Sequence, residues 1–161
     1  MENLNKKIGV LLAGVILAVI MMGSSVLAAS KGYVFKQNGV SVTMNGEAGK
    51  FIQKAGTPNK TRVTKSCAYE GKDRAYAYDD FILYTYSNSD NGTEYVGGIT
   101  FLTDKVKTKE GIGIGSSYKD VEKKYGKGKN NYGIYIFSKG KSEIQIEIRD
   151  NKVNNLRYVA K

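Results

Sequence analysis

Apolar and polar residues alternate along several stretches of the chain, which is the pattern of a β-strand with one buried face. Short segments rich in turn-forming residues separate these stretches: Asp79-Asp80, Asp90-Asn91-Gly92 and Asp150-Asn151. The last two predict hairpins that lead into further β-rich runs. The predicted strands are residues 40–44, 76–78, 81–86, 95–102, 143–149 and 153–159.

Two segments between these strands predict short helices. The residues from Ser117 to Asp120 resemble a capping box, with an acid at the fourth position. Gly126 suits the left-handed residue that follows a helix. The earlier segment 45–55 repeats the scheme, with Asn45 as its N-cap.

These parallels indicate an internal duplication. An offset of 70 residues matches Gly56 to Gly126, and an offset of 57 matches residues 96–101 to 153–158. The first copy therefore carries 13 extra residues, and the segment 66–74 is the natural place for them.

The pattern as a whole predicts an α+β fold. We expect one domain over residues 29–161, built from two tandem half-repeats at about 33–104 and 105–161. Each half-repeat would be a short helix with a three-strand antiparallel meander. Neither half could bury a core alone, so the two should fold as one unit.

Residues 1–28 have the composition of a cleavable secretory leader. Lys6-Lys7 precede an apolar run from Ile8 to Met22, and Val26-Leu27-Ala28 is a small-residue cleavage pattern. We expect cleavage after Ala28, with Ala29 as the second choice. The alternative is an uncleaved membrane anchor, because about 20 apolar residues can span a bilayer. The protein is therefore predicted to be secreted or associated with the cell envelope.

The chain is strongly basic, with a net charge of +10 from 25 Lys and Arg against 15 Asp and Glu. The leader contributes Lys6, Lys7 and Glu2, which leaves about +9 on the mature domain. Inside a cell this charge would suggest nucleic acid. For an exported protein we expect instead an envelope protein or an anionic cell-wall polymer as partner. The alternative is that lysine only keeps the surface soluble.

The sequence excludes several kinds of catalysis, because it contains no histidine. A Ser-His-Asp triad, a Cys-His dyad and a His-based zinc site are all ruled out. Cys67 is the only cysteine, so the mature domain has no internal disulfide. Only nearby cations such as Lys65 or Lys72 could activate this thiol. We expect Cys67 to be buried as a small hydrophobe.

Other chemical motifs are incomplete. The four acids from Glu70 to Asp80 fit a turn and a solvated loop better than a glycosidase pair. The acidic segment 88–94 lacks the ligand spacing of a calcium loop. The glycines of segment 111–115 lack the dinucleotide and P-loop fingerprints, and we expect them to turn the chain into the second helix. We predict no catalytic residue, no cofactor and no metal ligand.

Tyrosine is the positive signal, because all 12 tyrosines follow the leader and the chain has no tryptophan. Tyr76, Tyr78, Tyr84 and Tyr86 fall on adjacent predicted strands with a period of two. If the other sheet face meets the helices, these rings would form a surface for binding a protein or a glycan. The alternative is cross-strand packing in the core, with hydroxyls at the rim.

Two segments carry a resemblance to known proteins. The residues from Ile112 to Gly126 resemble the I-G-x-S-x-x-x-V-x-x-x-Y/L-G segment of small envelope proteins shaped like β-lactamase inhibitory protein, which use tandem helix-plus-sheet repeats. Ser66-Cys67-Ala68-Tyr69-Glu70-Gly71, followed by Tyr76-Ala77-Tyr78-Asp79, is similar to exported proteins and lipoproteins of Gram-positive anaerobes. The resemblance implies fold and location and brings no catalytic residue. The lipobox cysteine of the lipoprotein members is missing here.

Three functions are consistent with these observations. The leading hypothesis is a non-enzymatic binding protein of the cell envelope or extracellular space. The first alternative is an inhibitor of a secreted hydrolase, which the resemblance alone suggests. The second is a small extracellular hydrolase, which would need a deep pocket with converging carboxylates or an activated Cys67.

Overall fold

The computed structural model describes residues 32–161, so the predicted leader lies outside the described residues. These residues form ten strands and two short helices. In chain order they are β1 (Val34–Gln37), β2 (Val40–Thr43), α1 (Gly49–Ala55), β3 (Lys60–Lys65), β4 (Lys72–Ala77), β5 (Phe81–Ser87), β6 (Glu94–Phe101), α2 (Tyr118–Tyr125), β7 (Lys129–Asn131), β8 (Ile134–Lys139), β9 (Ser142–Arg149) and β10 (Lys152–Ala160).

Eight of the strands form one antiparallel sheet, in the order β3-β4-β5-β6-β10-β9-β8-β7. Strands β1 and β2 form a separate hairpin. The fold is therefore α+β, as predicted, and all six predicted strands are present. Four strands, rather than the predicted three, follow each helix. The alternation pattern missed β3 because all six of its residues are exposed, so it has no apolar face.

The core lies on one face of the sheet, beneath the β1–β2 hairpin and the helices. Phe51 of α1 and Val121 of α2 are buried there, and so is Phe35 of the hairpin. On the sheet side, Leu83 of β5 and Ile146 of β9 are fully buried. Since buried residues from both ends of the sheet belong to one cluster, the hairpin and both helices share a single hydrophobic core.

Helix α2 begins and ends as its sequence predicts. The hydroxyl of Ser117 accepts a hydrogen bond from the backbone N–H of Asp120 at 3.1 Å and donates one to the Asp120 carboxylate at 2.6 Å. This reciprocal pair is the predicted capping box with an acid at the fourth position. Gly126 ends the helix with φ of 77°, where a side chain would be strained.

Helix α1 starts later than predicted, because Asn45 does not cap it. Asn45 has φ of 61°, and its backbone N–H donates to the carbonyl of Val96 at 2.8 Å. Gly46 accepts in turn from the N–H of Val96 at 2.9 Å. The segment 45–47 therefore pairs with the start of β6, and the helix begins only at Gly49. Its N-cap, Ala48, makes no side-chain capping bond.

Gly71 allows the loop 66–71 to pack against the end of β5. A Cβ at this position would overlap the backbone carbonyl of Ser87. We expect Gly71→Ala to lower the free energy of unfolding by about 1–3 kcal/mol through this overlap, measured by denaturant titration. The matched control is Gly49→Ala, since a Cβ at Gly49 meets no atom within 4 Å. That change should stabilise the protein by up to about 1 kcal/mol. Equal effects of the two changes would contradict this packing.

Candidate binding face of the sheet

The sheet face opposite the core carries exposed side chains at its β3–β6 end. Arg62 and Thr64 of β3 are exposed, and Tyr84 of β5 is 41% exposed. The pairing of Arg62 with Ala75, and of Ala75 with Tyr84, places all three on the same side of the sheet. We call this side the open face.

The strand register separates the four predicted tyrosines. Tyr84 and Tyr86 of β5 lie on the open face. Tyr76 of β4 pairs instead with Leu83, which is fully buried, so Tyr76 lies on the core side. Tyr78, just after β4, is 8% exposed and stacks on Phe81 with ring centroids 4.7 Å apart. The expected surface of four tyrosines therefore does not form. Of the alternative, the core packing holds for Tyr78, but its hydroxyl is buried and does not reach the rim.

A groove with a volume of about 580 Å³ crosses the open face. Its aromatic wall consists of Tyr69, Tyr84 and Tyr86, and Arg62 and Asp73 add charged groups. Gly97 gives the groove room, because the β6 strand carries no side chain at this point beside Tyr84 and Tyr86. The other lining residues are Asn45, Thr64, Ser66, Ala68, Arg74, Ala75, Thr85 and Lys161.

Stacked rings hold Tyr86 in place within the groove. Its ring stacks on that of Tyr69, with centroids 5.2 Å apart and planes 18° from parallel, and it also contacts the ring of Tyr95. Its hydroxyl donates to the side-chain oxygen of Asn45 at 3.1 Å. Burial, and then the nearby phenols of Tyr69 and Tyr95, raise the pKa of Tyr86. Tyr86 is thus a fixed platform, whereas Tyr84 has a free, exposed ring.

Sequence reasoning missed Tyr69, which is 47% exposed at the groove wall. It lies in the loop 66–71, outside any strand, so period-two alternation does not select it. A signal that could have found it is the internal duplication, because Tyr69 lies in the extra segment 66–74 that the second half-repeat lacks. Since Gly71 seats this loop on β5, the backbone places Tyr69 over Tyr86.

Cys67 is exposed, which corrects the expectation that it is buried. It lies in the same loop, where Ser66 is buried but the four residues after it are exposed. Because the chain in this loop turns outward from the sheet, Cys67 is exposed although cysteine is usually buried. The side chain is free to meet solvent beside the groove.

The polar cluster behind the groove fixes Tyr76 and joins β4, β5 and β6. The carboxylate of Glu94 accepts hydrogen bonds from the Tyr76 hydroxyl at 2.9 Å and the Thr85 hydroxyl at 2.8 Å. The Nε of Arg74 lies 3.5 Å from the same carboxylate. Burial, followed by the hydrogen bond to Glu94, raises the pKa of Tyr76 to about 12.

This raised pKa predicts a pH dependence of stability. The folded state favours the neutral phenol, so its contribution is fully present below pH about 10, where an unfolded tyrosine ionises. It should be lost as the pH rises from there through the folded pKa of about 12. Tyr76→Phe cannot ionise, so its free energy of unfolding should fall less steeply over this window. If the free energy of unfolding fell equally steeply with pH in the wild type and in Tyr76→Phe, the assignment would be contradicted.

Neither helix in residues 32–161 is long and apolar enough to cross a membrane. The same part of the chain holds no group of three or more His, Cys, Asp or Glu side chains placed to bind a metal ion. Comparisons of the chain with protein-family models, with curated proteins and with solved structures found no match. The assignment of function therefore depends on the geometry of the chain itself.

Proposed function

We propose that the chain is an exported, non-enzymatic binding protein whose open face holds a partner in the groove at Tyr69, Tyr84 and Tyr86. One observation carries this proposal: three tyrosines line a groove of about 580 Å³ beside the exposed strand β3. Volumes of about 300–1,000 Å³ are typical of ligand sites. Export rests on the composition of residues 1–28.

The composition of the groove favours recognition over catalysis. Tyrosine rings supply a large contact area at a low entropy cost, and their hydroxyls donate and accept hydrogen bonds. Three cations and one acid also line the groove: Arg62, Arg74 and Lys161, with Asp73. This mixture suits an extended partner with both apolar and polar groups, such as a polypeptide segment or a glycan chain of the cell envelope.

The net charge of the chain supports a second part of the proposal. A basic protein outside the cytoplasm is attracted to anionic envelope polymers, which would raise its local concentration near the partner of the groove. This attraction is screened by salt, whereas packing on tyrosine rings is not. The two parts are therefore separable by ionic strength.

We also propose that the sheet arose by duplication of a helix-and-meander unit. The order of elements supports this idea, since α1 precedes β3–β6 and α2 precedes β7–β10. The last strand of each unit, β6 or β10, pairs with that of the other at the centre of the sheet. Buried Phe51 and Val121 occupy matching positions at the offset of 70 residues.

An affinity capture from envelope fractions tests the proposed function. Residues 32–161, immobilised through the N-terminus, should retain a discrete envelope component at high salt. Treating the fraction with protease beforehand tells a protein partner from a glycan. A stoichiometric hydrolase among the retained proteins would identify an inhibitor instead. Retention of nothing, or turnover of a substrate by the purified protein, would contradict the proposal.

A further inference from the structure

A second groove, with a volume of about 540 Å³, lies between the β1–β2 hairpin and the segment 106–110. We call it the basic groove. It lies in the layer that covers the core, away from the tyrosines of the open face. Its lining residues are Val34, Lys36, Ser41, Lys107, Thr108 and Lys109.

The hairpin turns Lys36 toward this groove by simple alternation. Phe35 and Val42 pair across the hairpin, and both are buried in the core. The next pair, Lys36 with Ser41, therefore points to the opposite side. The burial of Phe35 therefore determines the side of the hairpin on which Lys36 lies.

The segment 106–110 presents two more lysines in the same way. Val106 and Thr108 are buried, while Lys107 and Lys109 are exposed. The hydroxyl of Thr108 accepts a hydrogen bond from the N–H of Ile112 at 3.1 Å, and its oxygen lies 2.7 Å from the hydroxyl oxygen of Tyr125. These contacts hold the segment against α2.

The basic groove has positive charge without internal compensation. Its lining includes no acidic residue. Among residues 32–161, none of the five ion pairs involves Lys36, Lys107 or Lys109. The carboxylate of the neighbouring acid, Glu110, accepts a hydrogen bond from the Tyr125 hydroxyl at 2.8 Å. Three like charges around one concavity repel each other and raise the local concentration of anions.

We propose that the basic groove binds phosphate groups of an anionic envelope polymer, with Lys36, Lys107 and Lys109 as the contacts. Lysine binds phosphate as a compact point charge with three donors, and the Ser41 hydroxyl adds another. A polymer is favoured over a single phosphate because three separate lysines line the groove, so that successive phosphodiesters of one chain would each meet a cation. The inference gives a location to the electrostatic part of the proposed function. It is independent of the tyrosine groove.

The test compares two double variants with the same loss of charge. Lys107→Gln with Lys109→Gln removes two contacts of the basic groove, whereas Lys123→Gln with Lys124→Gln removes two exposed charges from the end of α2. The probes are a synthetic poly(glycerol phosphate), inorganic phosphate and vesicles containing phosphatidylglycerol. Binding is measured over a salt series, and thermal unfolding confirms that each variant is folded.

The groove variant should bind poly(glycerol phosphate) at least about 10-fold more weakly, and its log–log salt slope should fall by about 2, roughly one unit per lost lysine contact. The α2 variant should lose no more than about 3-fold through its lower net charge. Equal losses in both variants would overturn the inference. So would a wild-type protein that binds only the vesicles, or only inorganic phosphate.

A third variant keeps this inference distinguishable from the proposed function. Tyr84→Ala alters the open face and leaves the basic groove intact, so it should bind poly(glycerol phosphate) as the wild type does. A loss of polymer binding in this variant would show that the polymer occupies the open face, and would overturn the assignment to the basic groove. Failure of the envelope capture alone would leave the polymer result unaffected.

Discussion

Replacing Phe35 by alanine should lower the free energy of unfolding by about 3–5 kcal/mol, the usual cost of removing a buried phenylalanine ring. Phe35 is 0% exposed. Its ring lies between the hairpin, α1 and the sheet, with centroids 5.5–5.8 Å from those of four other rings. These are Phe51, Phe81, Phe101 and Tyr158.

The expected loss of stability is large because the Phe35 ring packs against several elements of the fold. A cavity at this point removes contacts from the hairpin, the helix and both central strands of the sheet at once. Phe35→Leu retains most of the volume and should cost less than the alanine change. Gln37→Ala, in the same strand, should alter stability by no more than about 0.5 kcal/mol. Denaturant unfolding measures all three. A loss below about 1 kcal/mol for Phe35→Ala would contradict the packing described.

The double change Tyr69→Ala with Tyr84→Ala should weaken binding of the captured envelope component by about 10- to 100-fold. Truncation of a central aromatic contact typically costs 1–2 kcal/mol or more, and tenfold corresponds to about 1.4 kcal/mol. Both rings are nearly half exposed, so the main packing contact that the free protein loses is the stack of Tyr69 on Tyr86. Tyr86 is kept, because its hydroxyl holds Asn45 and its loss would disturb the fold.

The matched control for this pair is Tyr132→Asn. Tyr132 is fully exposed in the β7–β8 turn, outside both grooves, and has φ of 50°, a conformation that Asn tolerates well. The control removes an exposed tyrosine without altering the open face, so its affinity should match the wild type. Isothermal titration and circular dichroism of each variant give affinity and fold. An unchanged affinity of the double variant would exclude these rings as contacts.

The sequence predicted six of the ten strands in residues 32–161 and missed β1, β3, β7 and β8, of which β3 and β7 carry no buried residue. The run 143–149 has buried isoleucines facing one side and polar residues facing the other, so alternation identified β9. Strand β3 carries no buried residue and pairs with the sheet on only one side. It forms because β4 offers a free edge, and that edge exists only in the assembled sheet.

The same limit applies to the N-terminus of α1. Asn45 is a favourable N-cap residue by type, but its backbone pairs with β6. It also bonds the carbonyls of Lys141 and Lys161 through its side chain. These partners lie at least 96 residues away in the chain, so no local pattern reveals them. Long-range pairing here overrode a local preference.

The sequence predicted only part of the candidate site, because long-range pairing also decides which tyrosines share a side of the sheet. A period of two correctly places Tyr84 and Tyr86 on one side of β5. It does not determine which residues of β4 lie on that same side. The register between β4 and β5, set by the turn at Asp79-Asp80, decides this. The observed register pairs Tyr76 with Leu83 and so turns Tyr76 to the core.

Site-specific photo-cross-linking tests most directly whether the open face is the binding surface. A photoreactive phenylalanine analogue replaces Tyr84 in one protein and Tyr132 in another, and each purified protein is illuminated in the presence of the envelope fractions used for the capture. The groove described here predicts a discrete cross-linked species from position 84 and none from position 132. No species from position 84, or the same species from both positions, would contradict binding at the open face.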